Sequence, residues 1–114
     1  MNTLRGIDPK MIANNLESSI LIHPGEMIKD EIVSRGMTQK KLAEMTGIAP
    51  SVLNEVLNGK RSVTTEYALL IEAALGIDAD IWIGLQADYD KQKARHDTSF
   101  LQRLEEIRKY AALL

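Results

Sequence analysis

Four glycines divide most of this 114-residue sequence into short segments, and they constrain its fold more than any other feature. Gly36, Gly47, Gly59 and Gly76 each follow a stretch whose apolar residues recur every three or four positions, the spacing of one face of an α-helix. Glycine adopts the left-handed backbone that often ends a helix without the steric cost that other residues have. The glycines therefore predict a series of short helices with tight turns between them.

Residues that favour helix starts precede these stretches. They are Asp8-Pro9, Pro24, Thr38, Pro50, Thr64, Asp78 or Asp80, and Asp97. The apolar residues expected on the buried faces are Met27, Ile28, Ile32, Val33, Leu42, Ala43, Val52, Leu53, Val56, Leu57, Ala68, Ile71, Leu75, Trp82, Leu85 and Tyr89. Asn58 and Gly59 are both expected to tolerate left-handed backbone. No useful stretch alternates apolar and polar residues as a strand would, so the predicted fold class is all-α.

Charge and composition exclude several classes of protein. The chain has 14 basic and 16 acidic residues, a net charge of −2, so any nucleic-acid binding must come from a local basic patch. Cysteine is absent, which excludes disulfides and thiolate metal sites. No apolar stretch is long enough to cross a bilayer, and residues 1–10 do not have the pattern of a signal peptide. We therefore expect a cytoplasmic protein.

The sequence gives little support to an enzymatic function. His23 and His96 are far apart, and neither has the spacing of a metal ligand. His23 precedes a proline at a helix start, where capping or simple exposure is expected. The run from His96 to Ser99 has the residue types of a hydrolase triad, but a triad needs them to converge from separate elements. We expect no catalytic residue, no metal site and no cofactor.

The most informative segment runs from Thr38 to Arg61. It contains two short amphipathic helices joined by a glycine-containing turn, which describes a helix-turn-helix. Ala43 is small enough for the two helices to cross, and Gly47 suits the turn between them. Gln39 lies at the start of the first helix, where its amide and the free backbone N–H groups can meet a phosphate.

The stretch from Thr38 to Ile48, together with Leu53 and residues 58–61, resembles the Xre/Cro/C1-type helix-turn-helix family. The resemblance implies a compact five-helix core whose second motif helix enters the major groove of DNA. The family's base contacts match Pro50, Ser51 and Glu55, with Asn54 beside them. The residues expected at DNA phosphates are Thr38, Gln39, Lys40, Lys41, Lys60 and Arg61.

The chemistry of these side chains suits base reading in part. Ser51 can donate to or accept from most bases, Asn54 can pair with adenine, and Glu55 can accept from cytosine N4. Two residues depart from the family pattern. Pro50 offers only apolar contact, and Ala49 replaces the hydroxyl that often caps the second helix.

A longer pattern, from residue 23 to residue 90, resembles the HigA/VapI-type antitoxins of bacterial toxin–antitoxin pairs. The resemblance implies a dimer that represses its own operon through operator DNA and neutralises a small basic ribonuclease toxin of the HigB/RelE kind. One alternative is a stand-alone repressor without a toxin. Another is a helical interaction protein that no longer binds DNA, which Pro50, Glu55 and a net charge of −1 between Pro24 and Leu75 favour.

The last predicted helix has an apolar seam with spacings of 4, 3, 4 and 3 residues. The seam consists of Phe100, Leu104, Ile107, Ala111 and Leu114. It can pair with a second copy of the chain or fold back on its own subunit, and the sequence leaves both open. We accordingly divide the chain into a leader with a short helix (1–22), a helix-turn-helix domain (23–76) and C-terminal helices for packing or dimerisation (77–114). The leader can dock on a partner, pack on the first helix or remain a tail.

Overall fold

A computed structural model describes residues 21–114, and these residues form six α-helices without any strand. The helices are α1 (Pro24–Ser34), α2 (Gln39–Thr46), α3 (Pro50–Leu57), α4 (Thr65–Leu75), α5 (Ala79–Arg95) and α6 (Thr98–Ala112). Residues 22–90 form one compact unit, and residues 91–114 belong to another. The all-α prediction is confirmed. The predicted leader helix lies outside the described residues, and the division at residues 22 and 76 stays a prediction.

Five helices contribute to the hydrophobic core of the first unit, as the predicted five-helix arrangement requires. α1 packs against α3, and α2 packs against both α3 and α4. The buried residues of the core are Ile28, Ile32, Leu42, Ala43, Ile48, Leu53, Val56, Leu57, Val63, Ala68, Ile71, Leu75, Ala79 and Trp82. Burying this many aliphatic side chains, each contributing about 1.5–3 kcal/mol, is the main force that holds the five helices together.

Side-chain caps and glycines end the helices where the sequence predicts. Thr38, Thr64 and Asp97 accept hydrogen bonds from backbone N–H groups three residues later, each at 3.1 Å. At the start of α5, Asp78 rather than Asp80 accepts, from the N–H of Asp80 at 2.9 Å. The four helix-ending glycines all have left-handed φ angles, between 70° and 77°.

The start of α1 is held by a buried histidine against the end of α3. His23 is only 4% exposed, and its Nδ1 accepts a hydrogen bond from the N–H of Gly25 at 2.9 Å. Its ring meets the Tyr89 ring edge-on, with centroids 4.9 Å apart. A Cβ added to Gly25 would lie 1.8 Å from the carbonyl oxygen of Val56. The capping role predicted for His23 is therefore confirmed, and α1 and α3 meet with no room for a side chain at Gly25.

Polar contacts attach α5 to the rest of this unit. The buried Gln86 side chain accepts from the N–H of Val63 at 2.8 Å and donates to Asp90 at 2.9 Å. The Glu72 carboxylate accepts from the N–H of Ala79 at 2.7 Å, which caps α5 from α4. Because a buried amide is costly unless it is hydrogen-bonded, Gln86 fixes where α5 lies on the core.

The predicted buried face of α1 was too wide. Ile28 and Ile32 are buried, but Met27 and Val33 are 40% and 69% exposed. These two residues lie about 100° to either side of the Ile28–Ile32 row, and α1 packs mainly against a single helix, α3. Similarly, Val52 is only half-buried. Asn58 was expected to tolerate left-handed backbone, but it has a φ of −97° and leaves that conformation to Gly59.

No residue of α6 is buried. Along its seam Phe100 is 42% exposed, Ile107 55% and Leu114 98%, while Leu104 is half-buried. In the part of the chain that the structure describes, no helix is long and apolar enough to cross a membrane.

Gly25→Ala is expected to destabilise the protein by about 1–3 kcal/mol or more, because its methyl group would overlap the Val56 carbonyl and force α1 away from α3. Gly84→Ala is the matched control, since a Cβ there meets open space in the middle of α5. This change should instead stabilise the protein by about 0.5–1 kcal/mol. Urea unfolding followed by circular dichroism measures both values. Equal effects of the two substitutions would contradict the close contact between α1 and α3.

Candidate nucleic-acid interface

Helices α2 and α3 form the helix-turn-helix that the sequence predicts. They are joined by residues 47–49, and Gly47 turns the chain with a φ of 77°. Ala43 and Ile48 are each 5% exposed and lie in the core with Leu53. The Thr46 hydroxyl donates to the carbonyl of Leu42 at 2.8 Å and accepts from the N–H of Ile48 at 3.3 Å. The turn is therefore fixed by buried apolar residues and by one hydroxyl that satisfies backbone groups on both of its sides.

The outer face of α3 carries the residues predicted to contact bases. Leu53, Val56 and Leu57 point into the core, which turns the opposite side of the helix to solvent. On that side Pro50, Ser51 and Asn54 are exposed and Glu55 is half-exposed. Ala49 provides no side-chain cap, so the first N–H groups of α3 also face solvent without one. All four predicted base-contacting residues thus lie at the surface of one short helix.

The first turn of α2 carries predicted phosphate contacts. Thr38 caps the helix by accepting from the N–H of Lys41, Gln39 is half-buried, and Lys40 and Lys41 are exposed. The N-terminus of a helix favours negative charge, because its free N–H groups and macrodipole are positive there. The two lysines add mobile positive charge at the same helix end.

Beyond α3, the structure brings a predicted base contact and a predicted phosphate contact together. The Glu55 carboxylate accepts from Nη2 and Nε of Arg61, at 2.7 Å and 3.1 Å. This hydrogen bond raises the pKa of Arg61 above its already high value, so the guanidinium stays positively charged. Both side chains are about half exposed, and such surface pairs contribute little stability. Arg61 can therefore exchange Glu55 for a DNA phosphate at small cost.

Two residues that the sequence analysis did not assign to the site also belong to it. The Lys29 ammonium, on α1, donates to Oδ1 of Asn58 at 3.1 Å. Asn58 Nδ2 donates to the backbone carbonyl and the Oδ1 of Asn54, at 2.9 Å and 3.2 Å. Lys29 is 29 residues from Asn58, so no local pattern indicates this contact. Asn58 was interpreted only as part of a helix end.

Charge is distributed unevenly over the compact unit. Residues 22–90 contain six basic and eleven acidic side chains, a formal charge of −5. Five of the six basic residues belong to the helix-turn-helix, follow it directly or contact its end: Lys29, Lys40, Lys41, Lys60 and Arg61. The sixth, Arg35, is bound to Glu31 and to the carbonyl of Leu75. The basic charge of this unit is thus concentrated at the helix-turn-helix, as a local patch would require.

Neither histidine forms part of a metal-ligand cluster among residues 21–114. No group of three or more His, Asp or Glu residues in this range could hold a metal ion. His23 caps α1, and the ring of His96 hydrogen-bonds with the carbonyl of Gln92 at 2.6 Å. Both rings therefore have structural contacts.

Comparison with known proteins places this geometry among DNA-binding proteins and antitoxins. The Helix-turn-helix family model matches residues 28–82, from α1 to the first turn of α5. Virulence-associated protein I of Dichelobacter nodosus is 34% identical over 77 residues, which are 67% of this chain and 71% of the relative. An addiction module antidote protein of the HigA family from Coxiella burnetii is 30% identical, with a TM-score of 0.66 over 75% of this chain and 91% of that one.

A third protein shares the fold at lower sequence identity. Antitoxin HigA of Pseudomonas aeruginosa, solved with its higBA promoter, has a TM-score of 0.61 and is 22% identical. The match covers 75% of this chain and 89% of that one.

Proposed function

The chain belongs to the helix-turn-helix family of HigA- and VapI-type proteins, DNA-binding proteins that are not enzymes, and from that premise we propose that it is the antitoxin of a type II toxin–antitoxin module. In this role it binds operator DNA as a dimer, represses its own operon and neutralises a small basic ribonuclease of the HigB/RelE kind in the cytoplasm. The observation that carries the proposal is the exposed polar face of α3, flanked by the basic residues of the helix-turn-helix.

Base reading falls to α3 in this proposal. The major groove of B-DNA, about 12 Å wide, admits one α-helix, and residues on its outward face reach the base edges. Ser51 and Asn54 offer hydrogen-bond donors and acceptors there, Pro50 offers apolar contact, and Glu55 offers an acceptor once Arg61 has turned to a phosphate. The HigA relative that was solved with its promoter DNA supports this use of the shared fold.

Phosphate binding falls to the two ends of the helix-turn-helix. Thr38, Gln39, Lys40 and Lys41 lie at the start of α2, and residues 60–61 follow α3. These groups provide few phosphate contacts, and the remaining surface of the compact unit is acidic. One subunit is therefore expected to bind DNA weakly, and specific binding requires two.

The α6 seam is the proposed means of pairing two subunits. Two recognition helices must meet successive major grooves, about 34–36 Å apart, which requires a two-fold dimer. Phe100, Ile107 and Leu114 are exposed along one side of α6 at heptad-like spacing. Together with Leu104 and Ala111, they offer an apolar surface that a second copy can cover.

Replacement of base-contacting residues should change sequence preference rather than overall affinity. Ser51→Ala and Asn54→Ala should each relax preference at particular base pairs by about 1–3 kcal/mol. The controls Lys41→Ala and Lys60→Ala remove phosphate contacts, so they should weaken binding to all sequences and flatten the salt dependence. Titrations of selected and random duplexes at several salt concentrations measure both effects. An equal loss on selected and random DNA for Ser51→Ala and Asn54→Ala would refute the role of α3.

Charge placed within the α6 seam should separate the subunits. Leu104→Asp plus Ile107→Asp is expected to give a folded monomer that binds operator DNA poorly, because two carboxylates would be buried in the paired seam. Gln102→Asp plus Lys109→Gln changes the net charge equally on the opposite side of α6 and should leave the dimer intact. Light scattering after size exclusion measures the mass of each variant. A dimer that survives the seam substitutions would place the interface elsewhere.

The toxin partner is tested by expression from the native operon. A tagged copy should co-purify with a stoichiometric small basic protein encoded beside it, identified by intact mass. A clean homodimer, with the neighbouring protein expressed but absent from the eluate, would instead favour a stand-alone repressor. This experiment leaves the DNA-binding role untouched, so the two parts of the proposal can fail separately.

A further inference from the structure

We infer that Lys29 and Asn58 are positioning residues, which hold the side-chain amide of Asn54 in the orientation that reads an adenine in the major groove. The inference rests on the proposed binding of DNA through α3. It concerns two residues outside the predicted set of contacts, one of them on a different helix from the base-reading face.

The direction of each hydrogen bond follows from the lysine. An ammonium group only donates, so Lys29 requires the oxygen of the Asn58 amide, which it contacts at 3.1 Å. The NH₂ group of Asn58 is then turned the other way, toward α3. It donates to the backbone carbonyl of Asn54 at 2.9 Å and to the side-chain oxygen of Asn54 at 3.2 Å. The orientation of two amides is thus set by one cation.

Asn54 consequently presents a defined donor and acceptor. Its Oδ1 keeps one lone pair beside the bond from Asn58, and neither proton of its Nδ2 is required by this network. Adenine in the major groove offers an N6 donor and an N7 acceptor, which an asparagine amide binds with Oδ1 and Nδ2. An amide turned by 180° would instead face Asn58 donor to donor. Lys29 and Asn58 therefore disfavour the orientation that cannot retain the network.

All three side chains are exposed, which suits a role that begins when DNA arrives. An exposed asparagine otherwise samples several rotamers and both amide orientations, and binding must then immobilise it. The network restricts Asn54 beforehand. As the groove excludes water from these hydrogen bonds, the attraction from the Lys29 ammonium strengthens.

The test compares variants of the full chain on duplexes selected from a random library by the unsubstituted protein. At one base pair of each half-site, changing A·T to G·C should weaken binding of the unsubstituted protein by roughly 5- to 150-fold. Asn54→Ala should abolish this ratio. Asn58→Ala should reduce the ratio at the same base pair by about twofold or more, the lower end of coupling between contacting residues. The double substitution should lose no more than Asn54→Ala alone.

Lysine variants separate positioning from charge. Lys29→Met removes the ammonium and should lower the same ratio, whereas Lys29→Arg keeps a donor and should restore it. Lys41→Met is the matched control, since it removes one exposed lysine of the same surface that has no bond to Asn58. It should weaken binding to both duplexes equally. A merely structural role of Asn58 would change stability but leave the base preference unchanged.

A modified base identifies the group that is read. Replacing the adenine by 7-deazaadenine removes its N7 acceptor, which should weaken binding of the unsubstituted protein but not of Asn54→Ala. Full discrimination by Asn58→Ala, with discrimination lost in Asn54→Ala, would overturn the inference while leaving the proposed function intact. A preference of Asn54 for another base would also overturn it. Failure of the unsubstituted chain to select any sequence would overturn the proposed DNA reading and this inference with it.

Discussion

The contact between the start of α1 and the end of α3 determines where the rest of this structure can lie. Gly25 approaches the Val56 carbonyl so closely that a β-carbon has no room, and the buried His23 caps α1 at the same point. This contact sets the distance between the two helices. Lys29 lies one turn beyond Gly25 on α1, and so its ammonium reaches Asn58 at the end of α3. A backbone contact in the core thereby shapes the candidate DNA-binding surface.

Electrostatics shape the same surface in a second way. The compact unit has a formal charge of −5, yet nearly all of its basic residues belong to the helix-turn-helix or contact it. Part of that positive charge is already bound, since Arg61 pairs with Glu55. A unit of this kind repels DNA except at one face, and its attraction even there is modest. This balance suits a repressor whose affinity depends on a second subunit and can therefore be adjusted by a partner.

Much of the fold could be predicted because helix starts and ends depend on local chemistry. Thr38, Thr64 and Asp97 cap helices through their own side chains, and Gly47 and Gly76 adopt backbone that other residues avoid. The buried faces were predicted less accurately, as Met27 and Val33 illustrate. Apolar spacing indicates which side of a helix faces inward, but the width of the buried face depends on how many neighbours cover it.

The sequence by itself therefore determined the helices, the helix-turn-helix and the identity of the side chains on the outer face of α3. Each of these follows from interactions between residues a few positions apart. Only the tertiary structure decided that Lys29 joins Asn58, that Gln86 binds the N–H of Val63, and that Glu55 faces Arg61 rather than solvent alone. The first two contacts join residues 29 and 23 positions apart, and the third spans the turn after α3. Such contacts depend on the distances and angles between packed elements, which helical periodicity does not specify.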